Sequence, residues 1–377
     1  MIADSLLRGA FAAVRGGDEA HVRLTSALAV RYGASSAVLT DSGTSALVLA
    51  LRLAAGTGGT VAYPAYGCVD LAAAARFAGV RVRLYDLDPL TLSPDLESVE
   101  AVLRRGVDAM VITHLFGFPA DVPAVSRLAA RYGAALIEDA AQGAAGRLGD
   151  IKLGGFGPLA VLSFGRGKGM TGGRGGALLA IGATAADQLA NVRSAGPHRR
   201  GTRELAAAAA QWLLGRPSVY GIPMALPSLK LGEMVYHPAH EPIPLATSAA
   251  AMVRGALELA DPAAARRRQR AAFLSADTAS DVQVITSIAG GVSGMLRLPA
   301  LISGDRPPAS RLGVTAAYPR TLAEQPELRA LLHQGETEHP GALHLRRLLR
   351  TIPVHDFVTA RDLSSIKNWL DARDSSR

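Results

Sequence analysis

The chain has 377 residues, 49% of them hydrophobic, with a formal net charge of +8 and a pI near 10.0. That length buries a large core and predicts two or three domains, while a single cysteine excludes a disulfide framework, an iron–sulfur cluster and a cysteine zinc site. The arginines are dispersed and no nucleic-acid motif is visible, so no nucleic-acid partner is expected, and Met1 to Arg8 lack the basic start and long apolar core of a signal peptide, which predicts a cytoplasmic protein.

In chain order, Ala37-Val38-Leu39-Thr40 reads as a short strand, Asp41-Ser42-Gly43-Thr44-Ser45 as a turn, and 46–53 as an apolar run that opens a helix. Small residues at a helix start leave backbone N–H groups uncovered and aimed at an anion, where the helix dipole also favours negative charge. The hydroxyls of Thr44 and Ser45 add donors, so this turn is a candidate phosphate cup; Gly-Thr-Ser is by itself equally an ordinary N-cap. Further strands are expected near 60–63, 81–86, 109–114, 134–138, 160–164 and 176–181, separated by helix-length apolar patterns in the first half. That alternation predicts an α/β fold with a mostly parallel seven-stranded sheet and helices on both faces.

Ligands of such sheets bind at the carboxyl ends of the strands. Asp139 follows the strand pattern Ala134-Ala135-Leu136-Ile137, which makes it a candidate partner for a cationic ring nitrogen or the N-cap of a following helix. Lysine occupies only four of the forty basic positions, Lys152, Lys168, Lys230 and Lys367, and Lys168 lies in Ser163-Phe164-Gly165-Arg166-Gly167-Lys168 before a glycine-rich turn. A guanidinium is permanently protonated and cannot offer a neutral amine to a carbonyl; a lysine can, and forming a Schiff base with pyridoxal phosphate (PLP) is the commonest such use. Downstream, a helix is expected over 246–274, interrupted near Asp261-Pro262, then a strand-like 295–302 and a closing helix over 360–372. The expected division is a large domain over 1–245 and a smaller α+β domain over 246–377.

Six segments resemble, in order and spacing, the DegT/DnrJ/EryC1/StrS family of sugar aminotransferases, PLP enzymes of fold type I. They are Asp41 to Leu47, Tyr63-Pro64-Ala65-Tyr66, Val82 to Pro89, His114-Leu115-Phe116-Gly117 with Pro119-Ala120-Asp121, Glu138 to Gln142, and Ser163 through Lys168 to Gly175-Gly176. The resemblance implies that Lys168 anchors the cofactor, Asp139 partners its ring nitrogen, Gln142 lies near its phenolic oxygen, and Ala141 packs on one ring face. Thr44, Ser45 and Ser163 become phosphate ligands, with Gly43 allowing close approach. No metal is expected.

Departures fall on the substrate side. Where the family places an aromatic over the ring this chain has Cys68, with Tyr66 as a substitute surface; Arg174 stands where the family has glutamate, and Arg166 sits two residues before the lysine. The asparagine that relatives contribute from a partner subunit is missing around His237 to Pro242, leaving His237 and His240 as replacement donors. Tyr66, Arg166, Arg174, His237 and His240 are the candidate substrate contacts. The resemblance thus implies a homodimeric aminotransferase moving an amino group from glutamate to a keto-sugar, nucleotide-linked and used in polysaccharide biosynthesis. A non-catalytic PLP-fold regulator is the alternative reading, and a PLP-dependent sugar dehydratase is a further one, although dehydratases of this family carry histidine in place of the lysine. The apolar stretch 205–231, broken by Pro217, Pro223 and Pro227, cannot span a membrane and is read as dimer-interface packing or as a surface for a lipid-linked substrate or peripheral contact with the bilayer face.

Overall fold

The computed structural model describes residues 3–192, 194, 196–214, 236–303, 309–334 and 338–372. The seven principal strands are β1 (Ser36–Thr40), β2 (Thr60–Pro64), β3 (Arg81–Tyr85), β4 (Ala109–Thr113), β5 (Ala135–Asp139), β8 (Leu159–Ser163) and β9 (Gly176–Ala180), with the short β6 (Arg147–Leu148) and β7 (Ile151–Lys152) between β5 and β8. The principal strands form one sheet in the order β1-β9-β8-β5-β4-β2-β3, in which only β9 runs against the others. All seven lie within a residue or two of the positions expected from the sequence pattern. The fold is the α/β architecture expected, a large, mostly parallel sheet flanked by helices.

Burial on both faces explains the continuous apolar strands. Along β8, Leu159 and Val161 join one core while Ala160 and Leu162 join the other, and β9 divides likewise into Leu178 and Ala180 against Ala177 and Leu179. Helix α3 (Gly43–Ala55) contributes Ala46 to Leu51 to the first core, beside Tyr63 and Met110. Helix α2 (Glu19–Tyr32) and the long helix Thr247–Ser275 cover the second, through Leu24, Leu28, Met252 and Val253.

The long helix is not interrupted. Pro262 lies inside it, although an internal proline removes a backbone bond and costs about 3 kcal/mol. Tertiary contacts hold the helix together across that point: Ala260 and Ala264 are buried, and the Asp261 carboxylate accepts two bonds from Arg31, at 2.9 and 3.0 Å, and one from the Lys152 Nζ at 2.9 Å. Its carboxyl-terminal turns supply Ala271 and Leu274 to a third core. Against this core lies an antiparallel sheet of β10 (Val282–Val284), β12 (Leu298–Ile302), β14 (Leu349–Ile352) and β13 (Thr315–Ala316), with the closing helix Ala360–Asp371. A further short pairing joins β11 (Gly291–Val292) to β6. Helix Thr202–Leu214 takes up the start of the apolar stretch 205–231, and its remainder from 215 lies outside the described residues. No helix among the described residues is long and apolar enough to cross a membrane.

Glu138 ties the layers together at the carboxyl edge of the sheet. Its Oε1 accepts from His114 Nε2 at 2.9 Å and Gly154 N at 2.6 Å, and its Oε2 from Phe156 N at 2.8 Å and Gly157 N at 2.9 Å. The Ala120 N–H donates to His114 Nδ1 at 3.0 Å, which places the ring proton on Nε2, facing the carboxylate. Burial opposes the charge on Glu138, yet these donors outweigh it and hold the carboxyl below its ordinary range.

A depressed folded pKa contributes stability above the unfolded value that disappears as pH falls through the folded one. Glu138→Gln is therefore expected to cost about 3–5 kcal/mol at pH 7, because the amide sets a donor against N–H groups. Urea titrations of both proteins check this, and the gap between them should narrow as pH drops below the ordinary carboxylate range.

Candidate active site

Strand ends build the site. The chain leaves β1 at Thr40, and Ser42, extended at φ −156° and ψ 160°, caps α3 by accepting the Ser45 N–H at 3.0 Å. The cap is thus Ser42, and Gly43, Thr44 and Ser45 form the first helical turn, where N–H groups lack intrahelical acceptors. Ser42 Oγ donates to Ser45 Oγ and Ser45 Oγ to Asp41 Oδ1, both at 2.8 Å, so the Ser45 hydroxyl proton is directed at Asp41. The Thr44 hydroxyl has no hydrogen bond among the described residues. A Cβ on Gly43 would stand 2.7 Å from the Ser163 Cβ, so only glycine lets the helix start approach the end of β8 this closely.

Asp139 ends β5 and is followed by turns rather than a helix, so it caps nothing. Its Oδ1 accepts the Ala141 N–H at 3.0 Å. Burial pushes its carboxyl up, partly offset by that bond and by the positive charge of Lys168. A cavity of about 480 Å³ brings Gly43, Thr44, Ser45, Cys68, Asp139, Ala141, Gln142, Ser163 and Lys168 together with Arg174, His237 and His240. The Lys168 Nζ enters no hydrogen bond or ion pair among the described residues.

His237 and His240, expected to reach toward a second subunit, line the cavity of their own chain, because residues 237–244 run back along β1 through a Thr40–Pro244 bridge. Arg52 on α3 holds that segment by pairing with Glu241 at 2.9 Å, and His240 Nε2 lies 3.2 Å from Asp41 Oδ2. Arg166 is exposed outside the cavity lining. Tyr66 is also outside it, fully buried against Tyr318 with ring centroids 5.3 Å apart, its hydroxyl accepting the Tyr318 N–H at 3.0 Å. Cys68 takes the place on the wall instead; it donates to Asp70 Oδ2 at 3.4 Å, and burial pushes its thiol up to about 12.

Sequence reasoning missed Asp41, Ser42, Asp70, Thr113 and Tyr318. Gln142 Nε2 donates to Tyr318 Oη at 2.8 Å while its Oε1 accepts the Phe116 N–H at 3.0 Å, so both ends of the amide are held. The Phe116 ring stacks on Tyr318 with centroids 5.6 Å apart. No local pattern announces a partner 176 residues away. The hydroxyls of Tyr63 and Thr113 are buried without partners, and Thr113 lines the cavity. Orphaned donors, a buried carboxylate, an unpaired lysine and a helix start that only glycine can bring in together fit pyridoxal phosphate.

The model of the DegT/DnrJ/EryC1/StrS aminotransferase family matches residues 13–289, and the chain belongs to that family. It is 34% identical over 185 residues to the L-glutamine:2-deoxy-scyllo-inosose aminotransferase of Streptoalloteichus tenebrarius, covering 48% of this chain and 43% of that protein. It is 33% identical over 133 residues to the UDP-N-acetyl-3-dehydro-alpha-D-glucosamine 3-aminotransferase of Acidithiobacillus ferrooxidans, covering 35% of this chain and 36% of that one. The chain thus spans less than half the length of these curated relatives. The crystal structure of the sugar aminotransferase CalS13 from Micromonospora echinospora superposes with a TM-score of 0.76 at 22% identity, covering 98% of this chain and 97% of that one, a likeness of fold.

Tyr318→Phe removes the acceptor of the Gln142 amide and leaves a buried donor short of a partner. The expected loss is about 1–3 kcal/mol in a urea titration, with the secondary structure unchanged by circular dichroism.

Proposed function

We propose that the chain is a PLP-dependent aminotransferase delivering an amino group to a keto-sugar or a similar polyhydroxylated ketone. The observation that carries this reading is the convergence of Lys168, Asp139 and the first turn of α3 on one cavity at the carboxyl edge of the sheet. Bound there, pyridoxal phosphate supplies the electron sink that makes loss of a Cα proton tolerable. Lys168 would hold the group through its amine, and as a free amine it would move the proton at Cα. Asp139 keeps a proton on the ring nitrogen, a cation that would favour its own charged form against the burial penalty. Thr44, the Ser163 hydroxyl and the α3 N–H groups take the phosphate, Gly43 permits the close approach, and Ser45 contributes once its hydroxyl turns from Asp41. Ala141 and Cys68 flank the ring, and the amide of Gln142, fixed by Tyr318 and Phe116, presents a donor at the phenolic oxygen.

Glutamate or glutamine serves as amino donor, the latter by analogy with the relatives that act on 2-deoxy-scyllo-inosose. A nucleotide-linked acceptor, a place in polysaccharide biosynthesis, a cytoplasmic site of action and a homodimer complete the proposal. So does the division at residue 246. For the stretch 205–231, packing in the dimer interface is preferred over contact with a lipid-linked substrate.

Lys168→Arg preserves charge but supplies no nucleophilic amine, so the visible absorbance of the lysine-bound cofactor should vanish and transamination fall by about 1,000-fold or more. Turnover near wild type would remove Lys168 from its role. Asp139→Ala should retain part of the cofactor affinity while slowing Cα-proton exchange, followed by deuterium wash-in, by about 100-fold or more. Sedimentation equilibrium is expected to show a dimer, with an interface above roughly 2,000 Å²; an active monomer would contradict it.

A further inference from the structure

A second hollow of about 230 Å³ opens beside the main cavity and shares Asp41, Arg174 and His240 with it. Its other walls include Arg199, Arg203 and Glu204, the last two in the first turn of the helix Thr202–Leu214. Its acidic groups are already engaged: Asp41 with Ser45 and His240, and the buried Glu204 with Arg199 at 3.5 Å. The guanidinium groups of Arg174 and Arg203 enter no hydrogen bond or ion pair among the described residues, which leaves two forked cations uncommitted on the wall of the hollow.

The backbone that carries these arginines is held in place. The first-turn N–H groups of the long helix donate to it, Thr247 N to Arg199 O at 2.9 Å and Ser248 N to Arg200 O at 3.1 Å. Ser248 Oγ adds a bond to Gly201 O at 2.7 Å. On the other side Gly173, at φ +83°, lets the helix start sit against the turn bearing Arg174, since a Cβ there would lie 3.0 Å from Glu204 O. A solvated surface arginine needs none of this support. Positive charge, a helix start and forked donors on a fixed frame are what a phosphoryl group or a carboxylate requires.

We propose that this hollow is an anion subsite, in which Arg174 and Arg203, backed by Arg199, bind a phosphoryl or carboxylate group on the molecule whose reacting end occupies the main cavity. The proposal rests on the aminotransferase reading only for which molecule carries the anion. Two sources share the chemistry, a phosphate on the acceptor and a carboxylate on the donor.

The test is calorimetric titration of inorganic pyrophosphate into the cofactor-loaded enzyme, where the cofactor's own phosphate already fills the α3 cup. Wild type should bind, Arg203→Gln should weaken binding about 10-fold or more, and Arg174→Gln with Arg203→Gln further. Arg200→Gln, whose side chain is not on the hollow, should leave it unchanged. Failure of wild type to bind, or equal affinities across wild type and the Arg203 and Arg174 variants, overturns the subsite. Absorbance changes of the bound cofactor on adding glutamate or glutamine separate the sources. A higher donor concentration for half-maximal change in Arg203→Gln, with pyrophosphate competing, assigns the donor carboxylate, and an unchanged donor response assigns the acceptor phosphate. An enzyme that binds pyrophosphate through Arg203 but whose absorbance answers no donor would refute the aminotransferase reading and leave the subsite standing.

Discussion

A buried carboxylate with four donors around it organises the edge of the sheet where the site lies. Glu138 collects His114 from the end of β4 and three N–H groups from the loop that leads into β8, so one side chain of β5 fixes the carboxyl end of β4 and the entry to β8. Together those donors offset the cost of burying the charged carboxylate, and leaving any one of them unpaired in the interior would itself cost about 1–3 kcal/mol. Because strand side chains alternate, fixing Glu138 on one face turns its neighbour Asp139 to the other, toward the cavity. A structural acid and a site acid thus sit side by side, with opposite displacements of their pKa values from opposite hydrogen-bond supply.

The carboxyl-terminal part of the chain reaches this edge by two routes. Tyr318 packs between Tyr66 and Phe116 and holds the amide of Gln142. Arg267, buried on the long helix, donates through Nε and Nη2 to Gly294 O, at 3.1 and 2.8 Å, and burial lowers its pKa to about 10. Gly294 in turn donates to Gly117 O, and Leu296 to Phe116 O, beside the strained left-handed Phe116 at φ 54°. The long helix joins two cores, since its first half is part of the core beneath the sheet and its last turns belong to the third core.

The proposed substrate side is assembled from more distant pieces. Arg174 comes from the turn before β9, Arg199 and Arg203 from the segment pinned to the start of the long helix, and His240 from the strip that runs along β1. Arg174 and His240 lie where the chain departs from the motifs of its family.

The sequence by itself determined the seven strands, their alternation with helices and the three groups Lys168, Asp139 and Gly43-Thr44-Ser45, because each is written in local periodicity or lies within a few residues of a strand end. Tertiary structure alone decided which of Tyr66 and Cys68 faces the cavity, since two residues past the strand the direction of a side chain depends on Tyr318, which is far off in the chain. It carried the long helix through Pro262, where Arg31 and Lys152 hold Asp261 against the local signal to break. It also assigned the cap to Ser42, which left Thr44 free, and gathered Asp41, Thr113 and the arginines of the second hollow. Contacts between residues tens to hundreds of positions apart leave no periodic trace, and they arise only when the layers pack and buried polar groups must find their partners.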